Sequence, residues 1–339
     1  MNRAELVKTL ELVKPALAVD RTVPIFQCFN FTEGAVSAHN GTIAIIGPSE
    51  FEWSCGIHGA TLLGLLSNSQ VEDMEINLEQ DTATIKLGKT ISKLPFQSEE
   101  DFIFEVPEDD WHFKVPFTES FANALSMCLE TVSSDETQVA LQGVTLNGDK
   151  LFSCNGDTIT RVQLKAGIKS RVLMPTPFCS AVLKLWSVLS MTKGSIQFND
   201  KWIFASMGEW AVYSTILEVK EPIDFDDLIK RTVKAKIAVQ DVPDALVEAL
   251  SRARVLSDPE SQKTTASVVK GKLSLHTETH MGEIKDSMLL KGHPDVEASI
   301  NAGHLQRALG YCGKIAIHDN CIMLENDDIG ALLLVSNMG

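Results

Sequence analysis

The sequence predicts an α+β chain of three tandem units, each with two short helices packed on antiparallel sheet. Two observations carry this. Amphipathic helical stretches recur around Leu10, Leu125 and Leu250, at spacings of 115 and 125 residues, and one third of 339 is 113. Each stretch is followed by short alternating runs with turn residues between them, then by a second short helix and more strands. Short one-faced helices beside short strands pack on one face of an antiparallel sheet. Six such half-units per chain suggest a ring or an arc.

The elements follow in order. Residues 5–13 place Leu6, Leu10 and Val13 on one helical stripe, and charges every few residues make this an amphipathic helix rather than a signal peptide. Phe26–Phe31, Ala35–His39 and Thr42–Ile46 read as strands separated by Glu33-Gly34 and Asn40-Gly41, and Asn-Gly between alternating runs is the strongest short hairpin signal. The second unit repeats this with a helix over 120–129, strands Val139–Leu146 and Leu151–Cys154, and the turn Asn147-Gly148-Asp149. The third repeats it with a helix over 245–256 and strands Thr264–Val269 and Lys272–His276 about Lys270-Gly271. Second helices over 60–66, 179–189 and 303–310 each lead into three strand runs, so each unit reads as helix, three strands, helix, three strands. Charged stretches at Glu108–Lys114 and Lys220–Lys234 read as linkers, giving domains 1–114, 115–222 and 223–339.

Composition narrows the function. Thirty basic and 45 acidic residues leave a net charge of −15, which excludes a protein that grips nucleic acid with its whole surface. Hydrophobic residues at 44% exclude a disordered chain. The longest apolar run, Ile329–Val335, is strand-sized, so no membrane span is expected. Seven scattered cysteines without a C-x-x-C argue against a disulfide or zinc framework and for a reducing cytoplasm.

Several motifs resemble those of the bacterial DNA polymerase III beta subunit, the beta sliding clamp. They are Arg21-Thr22-Val23-Pro24-Ile25; Leu94-Pro95 followed by Phe104 and Asp109-Asp110-Trp111; Leu141-Gln142-Gly143-Val144 followed by Asn155-Gly156-Asp157-Thr158; and Arg252-Ala253-Arg254-Val255-Leu256-Ser257. The resemblance runs over the whole chain and rests on the order and spacing of these motifs. It implies three clamp domains, head-to-tail dimerisation into a ring around double-stranded DNA, and a peptide groove for DNA polymerase and clamp loader. On this reading the chain is a replication processivity factor, not an enzyme, with no cofactor.

The resemblance also implies sites. The candidates for facing DNA are Arg21, Lys184, Arg252, Arg254, Lys263 and Arg307, with ordinary solvated charge as the alternative. The predicted helices sum to +1, leaving −16 for the rest, so the helical surface is less acidic than its surroundings. A sliding ring needs no tighter grip, because base readout or a phosphate lock would stall it. The family's aromatic pair before the Leu141 position is replaced by Val139-Ala140. The peptide groove is carried over to Leu141, Thr158, Ile159, Thr160, Leu228, Cys321, Met323, Leu333 and Val335, with simple core packing as the alternative for each. The family's His-Arg is replaced by Ile159-Thr160, and its C-terminal Met-Pro-Met-Arg-Leu by Ser336-Asn337-Met338-Gly339. The ring interface is expected at Phe104, Val255 and Leu256, Phe104 being an aromatic in an acidic, linker-like stretch.

Other chemistry finds little support. His276-x-x-x-His280 lies in an alternating run, so no metal site is expected there. The acidic runs Glu108-Asp109-Asp110 and Asp224-Phe225-Asp226-Asp227 sit at expected junctions, where such runs solvate linkers. No G-x-G-x-x-G, G-x-x-x-x-G-K-[ST] or G-x-S-x-G occurs. Two other readings stay open: a clamp-fold peptide-binding decoy that does not encircle DNA, and a carbohydrate-active hydrolase on a repeated sheet scaffold.

Overall fold

Asn2 starts the first helix, α1 (Arg3–Val13). Its Oδ1 accepts the N–H groups of Ala4 and Glu5 at 2.9 and 3.3 Å, two donors that a helix start leaves unpaired. Leu6, Leu10 and Val13 turn inward as the stripe predicts, joined by Leu12. The computed structural model describes residues 2–20, 22–107, 110–164, 170–233, 237–256, 263–319 and 321–336. Among these, six more α-helices follow: α2 (Gly59–Ser67), α3 (Glu119–Leu129), α4 (Thr176–Val188), α5 (Phe225–Thr232), α6 (Leu246–Leu256) and α7 (Ala302–Leu309).

One element order recurs three times. After α1 come Cys28–Thr32, Ala35–His39, Ile43–Pro48 and Cys55–His58; after α3 come Gly143–Asn147, Lys150–Cys154, Thr158–Gln163 and Arg171–Pro175. After α6 come Lys263–Val269, Lys272–Thr279, Gly282–Leu289 and Val296–Asn301. The second helices α2, α4 and α7 each lead into three more strands, as expected. The first half of each repeat therefore holds four strands where the sequence pattern suggested three. The extra strand is hidden for a physical reason. Cys55–His58, Arg171–Pro175 and Val296–Asn301 run directly into the next helix, with no loop between strand and helix to separate the two periods.

The turns behave as their residues require. Gly41 sits at φ +93°, and Asn40 Oδ1 accepts the N–H groups of Thr42 and Ile43, both at 3.1 Å. Lys270 and Gly271 both take positive φ, +50° and +74°, as a tight two-residue hairpin demands.

The chain divides into two compact units, Met1–Glu119 with Pro177–Ile216, and Ser120–Thr176 with Leu217–Gly339. The first holds an eleven-stranded antiparallel sheet in which Ile43–Pro48 pairs with Trp210–Thr215, Ile45 opposite Val212. Only glycine fits at position 47, since a Cβ there would lie 2.5 Å from the Trp210 ring. The second unit holds an eight-stranded sheet in which Thr158–Gln163 pairs with Ala331–Ser336, Thr160 opposite Leu333. It also holds a four-stranded sheet with Gly282–Leu289 at one edge. Each unit thus joins strands far apart in sequence into one sheet.

Candidate functional site

The segment expected as a bare linker over Lys220–Lys234 instead carries α5, Lys234 itself lying outside the described residues. Asp224 caps it, its Oδ1 accepting the Asp227 N–H at 3.0 Å. Asp226 and Asp227 occupy the first turn and Lys230 and Arg231 the last, the charge order that complements a helix dipole. Phe225 and Ile229 face inward at i, i+4. Two further bonds hold α5 on the eight-stranded sheet. Lys150 Nζ meets Asp226 Oδ2 at 2.8 Å, and the Arg171 guanidinium donates to the Ile223 carbonyl at 2.8 Å. The acidic run Asp224-Phe225-Asp226-Asp227 is thereby accounted for by a cap and two ion pairs, the second between Asp227 and Arg231.

Beneath α5 lies an apolar cluster. Phe225 stacks on Phe152 with centroids 5.2 Å apart, and Leu141, Cys154, Ile159, Ile229, Cys321, Leu332 and Leu334 are buried with them. Ile223, Leu228, Val233 and Met323 pack against the cluster while remaining partly exposed. This half-exposed aliphatic and thioether rim over a packed floor can seat a Leu or Phe side chain from an extended peptide.

The nine groove residues expected from sequence divide between the two faces of this sheet. Leu141, Ile159 and Cys321 lie in the cluster and Leu228 and Met323 on its rim. Thr158, Thr160, Leu333 and Val335 lie on the opposite face. Thr160 Oγ1 is 2.7 Å from Thr131 Oγ1, just beyond α3, and Thr131 in turn is 2.6 Å from Ser153 Oγ. Thr158 and Leu333 line a small cavity of about 10 Å³ with Met127 and Glu130 nearby and His304, Arg307 and Ala308 from α7. Thr158 Oγ1 and His304 Nδ1 are buried there without hydrogen-bond partners, so the space suits a single water rather than a peptide side chain. The cause is register: side chains alternate along a strand, so a slip of one residue exchanges the faces. Leu332 and Leu334 take the places expected for Leu333 and Val335, and Cys154 joins the floor where Thr158 was expected.

The remaining candidates are dispersed. Arg21 lies outside the described residues. Lys184, on α4, donates to the Glu11 carbonyl of α1 at 2.6 Å. Arg252 is committed to Asp286 through two hydrogen bonds, at 3.1 and 2.8 Å, and Arg254 donates to Gln306 Oε1 at 2.7 Å. Lys263 and Arg307 are exposed, Arg307 at the cavity mouth. Arg252 therefore carries less of a free positive field than its place on a helix suggested.

Phe104 is not a bare aromatic awaiting a partner. Its ring packs against those of His39 at 4.8 Å, Tyr213 at 5.7 Å and Trp202 at 6.4 Å, which gives it a role within its own chain. Val255 is 74% exposed at the end of α6, and Leu256 is half-buried beside Gly282. All seven cysteines are buried, and burial pushes the Cys28 and Cys321 thiols up to about 11 and those of Cys55, Cys128 and Cys312 to about 12. They act as small hydrophobes, not nucleophiles.

No family model matches the chain, and no curated protein matches it by sequence. Solved structures match along its full length. A beta sliding clamp from C. crescentus superposes with a TM-score of 0.89 at 17% identity, covering 100% of this chain and 98% of that one. A DNA polymerase III subunit beta from Bartonella birtlesii, bound to griselimycin, gives 0.88 at 16% identity, again over 100% and 98%. The corresponding subunit from Pseudomonas aeruginosa gives 0.86 at 18% with the same coverage. At these identities the likeness speaks for the fold: this chain folds, from end to end, as the DNA polymerase III beta sliding clamps do.

Proposed function

We propose that this chain is a DNA sliding clamp, a replication processivity factor that works by tethering rather than by chemistry. Three domains, near 1–114, 115–222 and 223–339, form half of a ring that two copies close head to tail. Such a contact is heterologous, and it yields a ring only when the rotation closes. The observation that carries the reading is the structural likeness to sliding clamps over 100% of the chain. The charge pattern supports it. Predicted helices near neutrality within a chain of −15 offer a surface that DNA passes without being held.

The partners are duplex DNA, encircled without base readout, a DNA polymerase and a clamp loader. Polymerase and loader dock extended peptides on the rim formed by Ile223, Leu228, Val233 and Met323. Burying one Leu or Phe anchor contributes about 1.5–3 kcal/mol, so two anchors and a few strand-like bonds leave micromolar affinity after association costs. Weak binding suits exchange of partners on one ring, while encirclement keeps the polymerase at high effective concentration. Exposed Val255, with Leu256, is the third domain's contribution to ring closure.

The test is topological. The chain, loaded on nicked circular DNA with its loader, remains bound at high salt and slides off when the circle is linearised. Equal retention on circular and linear DNA would leave ordinary binding in place of encirclement. A monomer that takes peptides but never loads would instead be the clamp-fold decoy.

A further inference from the structure

The hairpin of Lys272–Thr279 and Gly282–Leu289 gathers an imidazole and two carboxylates on one face. His276 and Glu278 are two apart on one strand, Glu283 and Lys285 two apart on the other, and the register sets Glu278 directly opposite Glu283 and His276 opposite Lys285. Like charges directly opposite in a hairpin are destabilising. His276 Nε2, itself a buried atom, is 2.8 Å from Glu283 Oε1 and 3.9 Å from Glu278 Oε2, and the three ligand atoms lie within 4.8 Å of one another.

We propose that this cluster is a binding site for zinc or a similar first-row divalent cation, with His276 Nε2 and one oxygen each from Glu278 and Glu283 as ligands. Zinc bonds of about 2.0–2.1 Å at tetrahedral angles place ligand atoms about 3.3 Å apart. That value falls between the two separations from His276 Nε2, so each of these changes by about half an ångström as the ion enters, while the two carboxylate oxygens, within 4.8 Å of each other, draw together around it. Imidazole with carboxylate selects zinc over magnesium or calcium, which take all-oxygen shells. The carboxylates are 72% and 46% exposed, so water completes the shell.

Lys285 decides the affinity. Its ammonium is paired with the Glu283 carboxylate. Zinc must displace this ammonium, which is 66% exposed and free to swing into solvent. Removing the competing cation therefore tightens binding.

The test is calorimetric titration of zinc into the full chain near neutral pH, repeated for His276→Gln, Glu283→Gln and Lys285→Met. One saturable site is expected in the wild type. Its affinity falls at least about tenfold in the first two variants, since each loses one of three ligands, and rises in the third. Glu283 and Lys285 are exposed and His276 is half-buried, and circular dichroism confirms that each of the three variants folds. Cobalt supplies an independent readout, a visible absorption band present in the wild type and lost in His276→Gln. No saturable binding to the wild type at millimolar zinc would overturn the proposal, as would equal affinity in wild type and His276→Gln.

Discussion

Leu333 and Leu228 lie on opposite faces of the same sheet system, and an aspartate at each separates folding from binding. Leu333 is 2% exposed, beside Glu130 in the cavity between α3 and α7. Leu333→Asp forfeits about 1.5–3 kcal/mol of apolar burial. It also either buries a carboxylate, at several kcal/mol, or forces that group to stay protonated. The combined loss exceeds about 4 kcal/mol, a large part of the 5–15 kcal/mol that holds a typical protein together. Leu228 is half-exposed on α5, so an aspartate there reaches water and costs about 1 kcal/mol. It nevertheless removes one wall of the anchor seat, which should weaken a polymerase C-terminal peptide about tenfold or more. Urea unfolding followed by far-ultraviolet circular dichroism measures the first effect, because all five tryptophans lie in the first unit and would miss it. Fluorescence anisotropy of the labelled peptide measures the second. A Leu333→Asp protein with the wild-type midpoint, or a Leu228→Asp protein with wild-type peptide affinity, would show that the two faces have been assigned wrongly.

Two other expectations follow from single side chains. Burial pushes His318 below its ordinary 6.5, with His293 adding to the shift and Asp319 opposing it, and Nε2 lacks a hydrogen-bond partner. The unfolded chain then takes up protons before the folded one does. Stability is level above pH 6.5 and falls as pH drops through 6.5 and below, and His318→Gln should flatten part of that slope in a urea-midpoint series. Only part is removed, because burial also lowers His39 and His304. Gly47→Ala should cost about 1–3 kcal/mol by driving a methyl group into the Trp210 ring, visible as a lower midpoint in tryptophan fluorescence. An unchanged midpoint there would mean that the ring moves aside freely.

The repeat was legible because turn chemistry is local. Asn40-Gly41, Asn147-Gly148 and Lys270-Gly271 mark hairpins whatever lies around them, and each does so in the structure. Two things were not legible, for different reasons. The helix α5 was masked by its own charge, because Asp224, Asp226 and Asp227 read as linker solvation until Asp224 is recognised as a cap and Phe225, Leu228 and Ile229 as an i, i+3, i+4 stripe. The face of the last strand was masked by its uniformity. Leu332, Leu333, Leu334 and Val335 are all buried, and a run without alternation carries no information about which side meets which neighbour. Motif spacing located that strand but could not set which of its residues share a face, and so the nine expected groove residues are divided between the two faces of the sheet.

A ring of two chains and a lone clamp-fold chain differ in mass by a factor of two. Light scattering of the purified wild-type protein is predicted to give the mass of two 37.1 kDa chains, and Val255→Asp with Leu256→Asp the mass of one. A wild-type protein at the mass of a single chain, at concentrations where a ring should persist, would contradict the two-chain ring.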